Sequence, residues 1–169
     1  MTRSLLDDAF AHNVWATLQL IDTCLGLSQE QLETAVPGTY GSVLDTMRHI
    51  VGSDSWYLFR ITGDRSFVID RRRMDLSELR TAMEDNGAVW SRILGGDIDP
   101  DAMLVETNDD GPDALDATGI VLGQALHHGT DHRSQVCTAL TKLGIEPPDI
   151  DVWSFGIQNG RCIEGPPAS

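Results

Sequence analysis

The chain has 169 residues, 41% of them hydrophobic and 22% charged, the composition of one ordinary globular domain with a sizeable core. Its 26 acidic residues against 12 basic ones give a net charge of −14. That balance opposes binding to nucleic acid or an anionic membrane, since both need cations to neutralise phosphate.

The start, Met1-Thr2-Arg3-Ser4-Leu5-Leu6-Asp7-Asp8, is acidic too early for a signal peptide. No apolar run approaches the ~20 residues of a membrane span, so the expected location is cytoplasmic. Cys24, Cys137 and Cys162 are odd in number and lack C-x-x-C spacing, which argues against a disulfide framework or a cysteine zinc site. Cys24 and Cys137 read as small thiols on helices.

Four helical segments follow in order. In the first, Leu6, Phe10, Val14, Leu18, Ile21 and Leu25 form a stripe at helical spacing, with Ser4 and Asp7 resembling a capping box and Gly26 marking the end. The second opens at Ser42, with Asp45 three residues on, and runs through Met47, Ile50, Val51, Leu58 and Ile61 to Gly63. Arg71-Arg72-Arg73 reads as a solvated turn before the third helix, with a small anion site as the other reading. That helix opens with Asp75 and Glu78, carries Leu76, Leu79, Met83, Trp90 and Ile93, and stops at Gly95-Gly96.

Ala102–Thr107 reads as a short extended piece. The fourth helix follows Asp110-Gly111-Pro112, starting at that turn or several residues later. It carries Leu115, Val121, Leu122, Ala125, Val136, Ala139, Leu140 and Leu143, and ends at Gly144 before Pro147-Pro148. The tail from Ile145 has no clear period, but Ile150, Val152, Trp153 and Phe155 are expected to fold back on the body. With no repeat and no linker, the expectation is a single all-α domain over residues 1–169. It is a four-helix bundle with a short extended segment between helices three and four and an irregular C-terminal tail.

The chemistry concentrates in Leu126-His127-His128-Gly129-Thr130-Asp131-His132-Arg133-Ser134-Gln135, which holds three of the five histidines. Positions i and i+4 share a helix face with Cβ atoms roughly 5–6 Å apart. His128 and His132 can therefore aim at one point, and two imidazoles plus a third leave a divalent metal an open position. His49 on the second helix is the candidate third ligand, with Asp45 one turn earlier as a partner for its ring N–H. His127 and Asp131 make a competing pair on a neighbouring face.

Gly129 inside the helix costs about 1 kcal/mol relative to alanine, which a close approach by another helix or a ligand would explain. It also stands where a zincin's HExxH carries glutamate, which argues against a thermolysin-like peptidase. Gln135 and Gln124 lie on the same face and are candidates to line a polar pocket. Arg133 reads either as a pocket residue or as a structural salt-bridge residue.

The string His128-Gly129-Thr130-Asp131-His132-Arg133-Ser134-Gln135 resembles the H-G-T-x-H-R-x-Q pattern of the DinB/YfiT-like family of metal-binding four-helix bundles. Leu143-Gly144-Ile145-Glu146-Pro147-Pro148-Asp149-Ile150-Asp151 resembles its L-G-x-x-P-P-x-x-D continuation. His49-Ile50 with Asp54 is similar to its H-I-x-x-x-E/D element, and Asn13-Val14-Trp15-Ala16 to its N-x-W-A. His12 and Thr17 depart from the pattern, where tyrosine and asparagine are common.

The resemblance implies metal ligation by His49, His128 and His132, with Zn²⁺ or Ni²⁺ the expected ion, and a homodimer. Relatives include S-transferases using bacillithiol or mycothiol and a thiol-dependent maleylpyruvate isomerase. The implied function is a divalent-metal-dependent transfer of a low-molecular-weight thiol to an electrophilic small molecule, with Gln135, Arg133 and Asp45 as pocket candidates. The alternatives are a hydrolase using metal-activated water and a non-catalytic metal- or ligand-binding bundle.

Overall fold

The computed structural model describes residues 5–107 and 113–163. Four long helices dominate them: α1 (Leu5–Cys24), α3 (Val43–Thr62), α4 (Leu76–Leu94) and α5 (Thr118–Lys142). Two short ones, α2 (Gln29–Leu32) and α6 (Val152–Gln158), flank the bundle. Helix α1 packs chiefly on α4, and α3 on α5. The fold is all-α apart from one small hairpin, and no described helix is long and apolar enough to cross a membrane.

The helix ends follow from local chemistry. Ser42 caps α3 by accepting the Asp45 N–H, and Gly63 ends it in the left-handed region at φ 73°, its N–H bonded to Phe59 O. Asp75 and Glu78, which open α4 as expected, form a capping box there. After α5 the chain turns at Gly144, φ 74°. The Ser4 cap and the Asp110-Gly111-Pro112 turn lie outside the described residues.

The extended segment between α4 and α5 pairs with a second strand. β1 (Met103–Glu106) runs antiparallel to β2 (Ala114–Ala117), with Met103 opposite Ala117 and Glu106 opposite Ala114. The fourth helix thus starts late, at Thr118, and Leu115 sits on β2 with its side chain 61% exposed. Arg60 ties the hairpin to α3, its Nη1 2.5 Å from Glu106 and its Nη2 2.9 Å from Asp116.

The tail is more regular than its sequence suggests. Asp151 caps α6 by accepting the Ser154 N–H, and Phe155 is buried against Trp15 and His12 of α1. His12 Nε2 donates to the Ile150 carbonyl at 2.8 Å, which pins the strap. Val152 and Trp153 point outward instead of folding back, Trp153 with 73% exposure, because so short a helix presents only one face to α1.

The core divides into two apolar clusters. Leu20, Met47, Val51, Leu79, Met83 and Leu140 belong to one; Phe10, Leu58, Trp90 and Leu122 belong to the other. Burying each such side chain contributes about 1.5–3 kcal/mol. A polar layer separates them along every long helix: Asn13 and Thr17 on α1, Asp54 and Ser55 on α3, Asn86 on α4, Arg133 on α5. This layer explains the shift in the α1 stripe. Asn13 and Thr17 are buried, Val14 and Leu18 flank the core, and Leu6 and Leu25 are exposed.

Candidate metal centre

Because α3 lies against α5, His49 meets the i, i+4 pair of α5. One ring nitrogen from each of His49, His128 and His132 lies within 4.8 Å of the other two. His128 Nε2 is 2.9 Å from His49 Nε2. Ring centroids are 4.7 Å apart for His49–His128, 4.6 Å for His49–His132 and 4.4 Å for His128–His132, with steep interplanar angles. Nitrogens bound to a common Zn²⁺ sit about 2.0–2.1 Å from it, hence some 3 Å or slightly more from one another. His49 and His128 already stand at about that spacing, and a ring nitrogen of His132 lies within 4.8 Å of both.

The protonation state suits ligation. Burial, with the neighbouring imidazoles next, lowers His49 to about 4; burial and then His132 lower His128 to about 4. Both rings are neutral near pH 7, when an imidazole offers a lone pair. Neutral rings still cannot satisfy one another fully. One proton bridges His49 and His128, while His132 Nε2 has no hydrogen-bond partner among the described residues. Among those residues no carboxylate or thiol joins the group. A borderline-soft divalent ion is the chemical species such a donor set fits.

The surroundings set the ring orientations. Gln135 Oε1 accepts from His132 Nδ1 at 3.1 Å and from the Tyr40 N–H at 2.8 Å, leaving His132 Nε2 free to face inward. The Tyr40 ring stacks on His49, centroids 3.9 Å apart and planes 6° from parallel, and meets His132 edge-on at 5.4 Å. On the other side of His49, Arg71 Nη1 lies 2.9 Å from Nδ1. A guanidinium only donates, so Nδ1 is the acceptor and the His49 proton sits on Nε2, facing His128. Ligation through Nε2 would move that proton to Nδ1 and remove Arg71's acceptor.

The sequence candidates separate clearly. Gln135 touches the trio through His132 Nδ1. Asp45 does not orient His49: it accepts the Ser42 hydroxyl at 2.8 Å and faces Arg48 at 3.9 Å, occupied with capping its helix. Arg133 is not a pocket residue. It is 3% exposed and donates to Asn13 Oδ1 at 2.5 Å, to the Asn13 carbonyl at 3.3 Å and to Thr17 at 3.2 Å. Its partners are neutral groups, those of α1 and the Thr130 hydroxyl of its own helix at 3.2 Å, so it is structural without being half of a direct ion pair.

Gly129 is explained by that same contact. A Cβ there would overlap Asn13 Oδ1 and stand 2.8 Å from Arg133 Nη1, so the glycine admits α1, not a ligand. His127, Asp131 and Gln124 are exposed, with Gln124 bonded to the Tyr57 hydroxyl. Sequence reasoning missed Tyr40 and Arg71, and also Tyr57, whose ring meets His128 edge-on at 5.8 Å, and Ser53, whose hydroxyl lies 3.5 Å from His49 Nδ1. Arg71 carried a signal in the triple arginine, read mainly as a solvated turn; Tyr40, in a glycine-flanked loop, carried none.

One turn deeper, Asp54 accepts from Asn86 Nδ2 and Trp90 Nε1, each at 3.0 Å, and from Asn13 Nδ2 at 3.3 Å. Burial raises its carboxyl to about 6, while the three donors and Arg133 pull the other way. It remains ionised near pH 7, as a carboxylate facing only donors should.

No curated protein matches the sequence. The model of one family does, over residues 1–159, nearly the whole chain and both halves of the histidine trio. The chain belongs to the DinB family.

Proposed function

We propose that this chain is a divalent-metal-dependent enzyme that transfers a low-molecular-weight thiol to an electrophilic small molecule. The observation that carries the reading is the trio itself: three inward nitrogens from two helices, short of donors, beside a cavity that Tyr40 and Arg71 share. His49, His128 and His132 would hold the ion, Zn²⁺ or Ni²⁺ by ligand type. The ion would supply positive charge that favours the thiolate over the thiol.

The protein's own part is positioning. Gln135 holds His132 in the tautomer that presents Nε2, and Tyr40 packs flat on His49 and limits its rotation. The thiol proton leaves to solvent, the sulfur pair forms the new bond, and the electrophile's leaving group departs with its electrons. Among the described residues no carboxylate joins the trio as a ligand or base, Asp131 being exposed on the neighbouring face, and this favours a thiol over water as nucleophile. Without an added base, a thiol of pKa about 8.5 needs a shift some 7 units smaller than water at about 15.7.

Elemental analysis of purified wild type beside His128→Ala is the first test. About one divalent transition ion per chain, lost in the variant, is the expected result. The loaded protein should then consume thiol against a panel of electrophiles. Turnover of esters or amides without thiol would replace this reading with hydrolysis. Metal that only raises the melting temperature would leave a binding module.

A further inference from the structure

The cavity beside His49, with a volume of ≈ 400 Å³, is lined by Tyr40, Gly41, Asp45, Arg48, Arg71 and Arg72. Three of its six residues are arginines, in a chain with only 12 basic residues against 26 acidic ones. The local charge is thus opposite to that of the whole molecule. The one carboxylate, Asp45, is engaged by the Ser42 hydroxyl and lies 3.9 Å from Arg48. Arg48 spends its Nε on the Met74 carbonyl at 2.9 Å. Arg72 makes no hydrogen bond or ion pair among the described residues, and only Nη1 of Arg71 is engaged.

Arg71 is built into this wall. Its stem crosses α3 at Gly52, where an added Cβ would overlap Arg71 Cδ and lie 3.1 Å from its Cβ and Cγ. A glycine in mid-helix costs about 1 kcal/mol relative to alanine. Here it admits the side chain whose tip reaches His49 Nδ1 and Ser53 Oγ. An arginine free to wave in solvent would need no such groove.

We propose that this cavity binds an oxyanion, a carboxylate or phosphate carried by the enzyme's small-molecule substrate, between Arg71 and Arg72. The inference rests on the metal-centre reading for its role but not for the binding itself. Three neutral imidazoles leave a divalent ion's charge uncompensated, and Arg71 adds another positive charge next to His49. An anionic substrate supplies the missing charge, and guanidinium forks suit both oxyanions. Tyr40 forms part of the same wall and stacks on His49, so a molecule anchored at the arginines extends toward the trio. The volume suits a small metabolite, not a polymer.

Calorimetric titration of metal-loaded protein with inorganic phosphate, and separately with succinate, tests this directly. Saturable binding of either is expected, and which one binds identifies the oxyanion. Arg72→Ala should weaken it about tenfold, and Gly52→Ala, which displaces the Arg71 stem, by a similar factor, both with unchanged metal content. Arg92→Ala, an exposed arginine at the far end of α4, should change nothing. Equal weakening by Arg92→Ala, or no saturable binding of either probe to protein that holds its metal, overturns the proposal and leaves the metal centre standing. Anion binding that survives in a chain unable to take up metal would instead support the oxyanion site while removing the proposed function.

Discussion

Two polar clusters lie on the same pair of helices, and they are built on opposite terms. Asp54 and His49 are five residues apart on α3; Arg133 and His132 are neighbours on α5. Around Asp54 every partner is complementary: one acceptor group meets three donors, and the site is nearly closed, Asp54 being 4% exposed. Around His49 like faces like, with three ring nitrogens converging and too few protons among them. Buried polar groups are normally satisfied, so the first cluster is complete as it stands and the second is complete only with something from outside. Structural polarity and functional polarity are distinguished here by donor–acceptor balance, not by burial or charge.

The largest expected effect breaks the comparison if it fails. Asp54→Ala should cost about 3–5 kcal/mol in denaturant unfolding, since it strands Asn13, Asn86, Trp90 and the Arg133 charge. His49→Ala in metal-free protein should cost far less, because His49 is only half-buried and its removal strands no fully buried charge. If the order were reversed, the histidine trio would be the structural cluster.

Metal should reveal the second cluster. At a free ion concentration of 100 Kd the wild type should gain about 2.7 kcal/mol of stability, and His132→Ala should gain almost none. Differential scanning calorimetry with and without Zn²⁺ or Ni²⁺ reads both. Gln135→Ala is a finer probe, since it frees His132 Nδ1 without removing a ligand; metal affinity should fall about 10–100-fold. Unchanged affinity would mean that Tyr40 alone suffices to hold the rings.

The smallest effect is one of sign. Folded His49 and His128 titrate near 4 against 6.5 for the free side chain, so between these values the unfolded chain binds more protons. Their contribution to metal-free stability is full above 6.5 and is lost as pH falls toward 4. Asp54 runs the other way: its carboxyl is raised from 3.8 to about 6, so its contribution is full below 3.8 and is lost as pH rises through 6. Melting temperatures across this range should fall with acid in the wild type, and less steeply in His49→Ala. An identical slope in both would remove the imidazoles from the account.

Much of this molecule was readable from short-range chemistry. Ser42 and Asp45, Asp75 and Glu78, Gly63 and Gly144 place helix ends because a cap involves atoms three or four residues apart. His128 and His132 share a face for the same reason. His49 was only a candidate third ligand until the family resemblance selected it, and packing of α3 on α5 brings it to the pair. What spacing could not supply was the environment of each side chain. Asn13 and Thr17 interrupt the apolar stripe of α1, yet they are buried, because Asp54 and Arg133 wait for them on other helices. Arg133 and Gln135 are two residues apart and equally polar; one turns into the core and the other to the trio, according to which helix stands opposite. Tyr40 and Arg71 reach His49 from loops, where backbone paths depend on the whole bundle. Local hydrogen bonds fix where helices begin and end, but a site made of four segments exists only after those segments have packed.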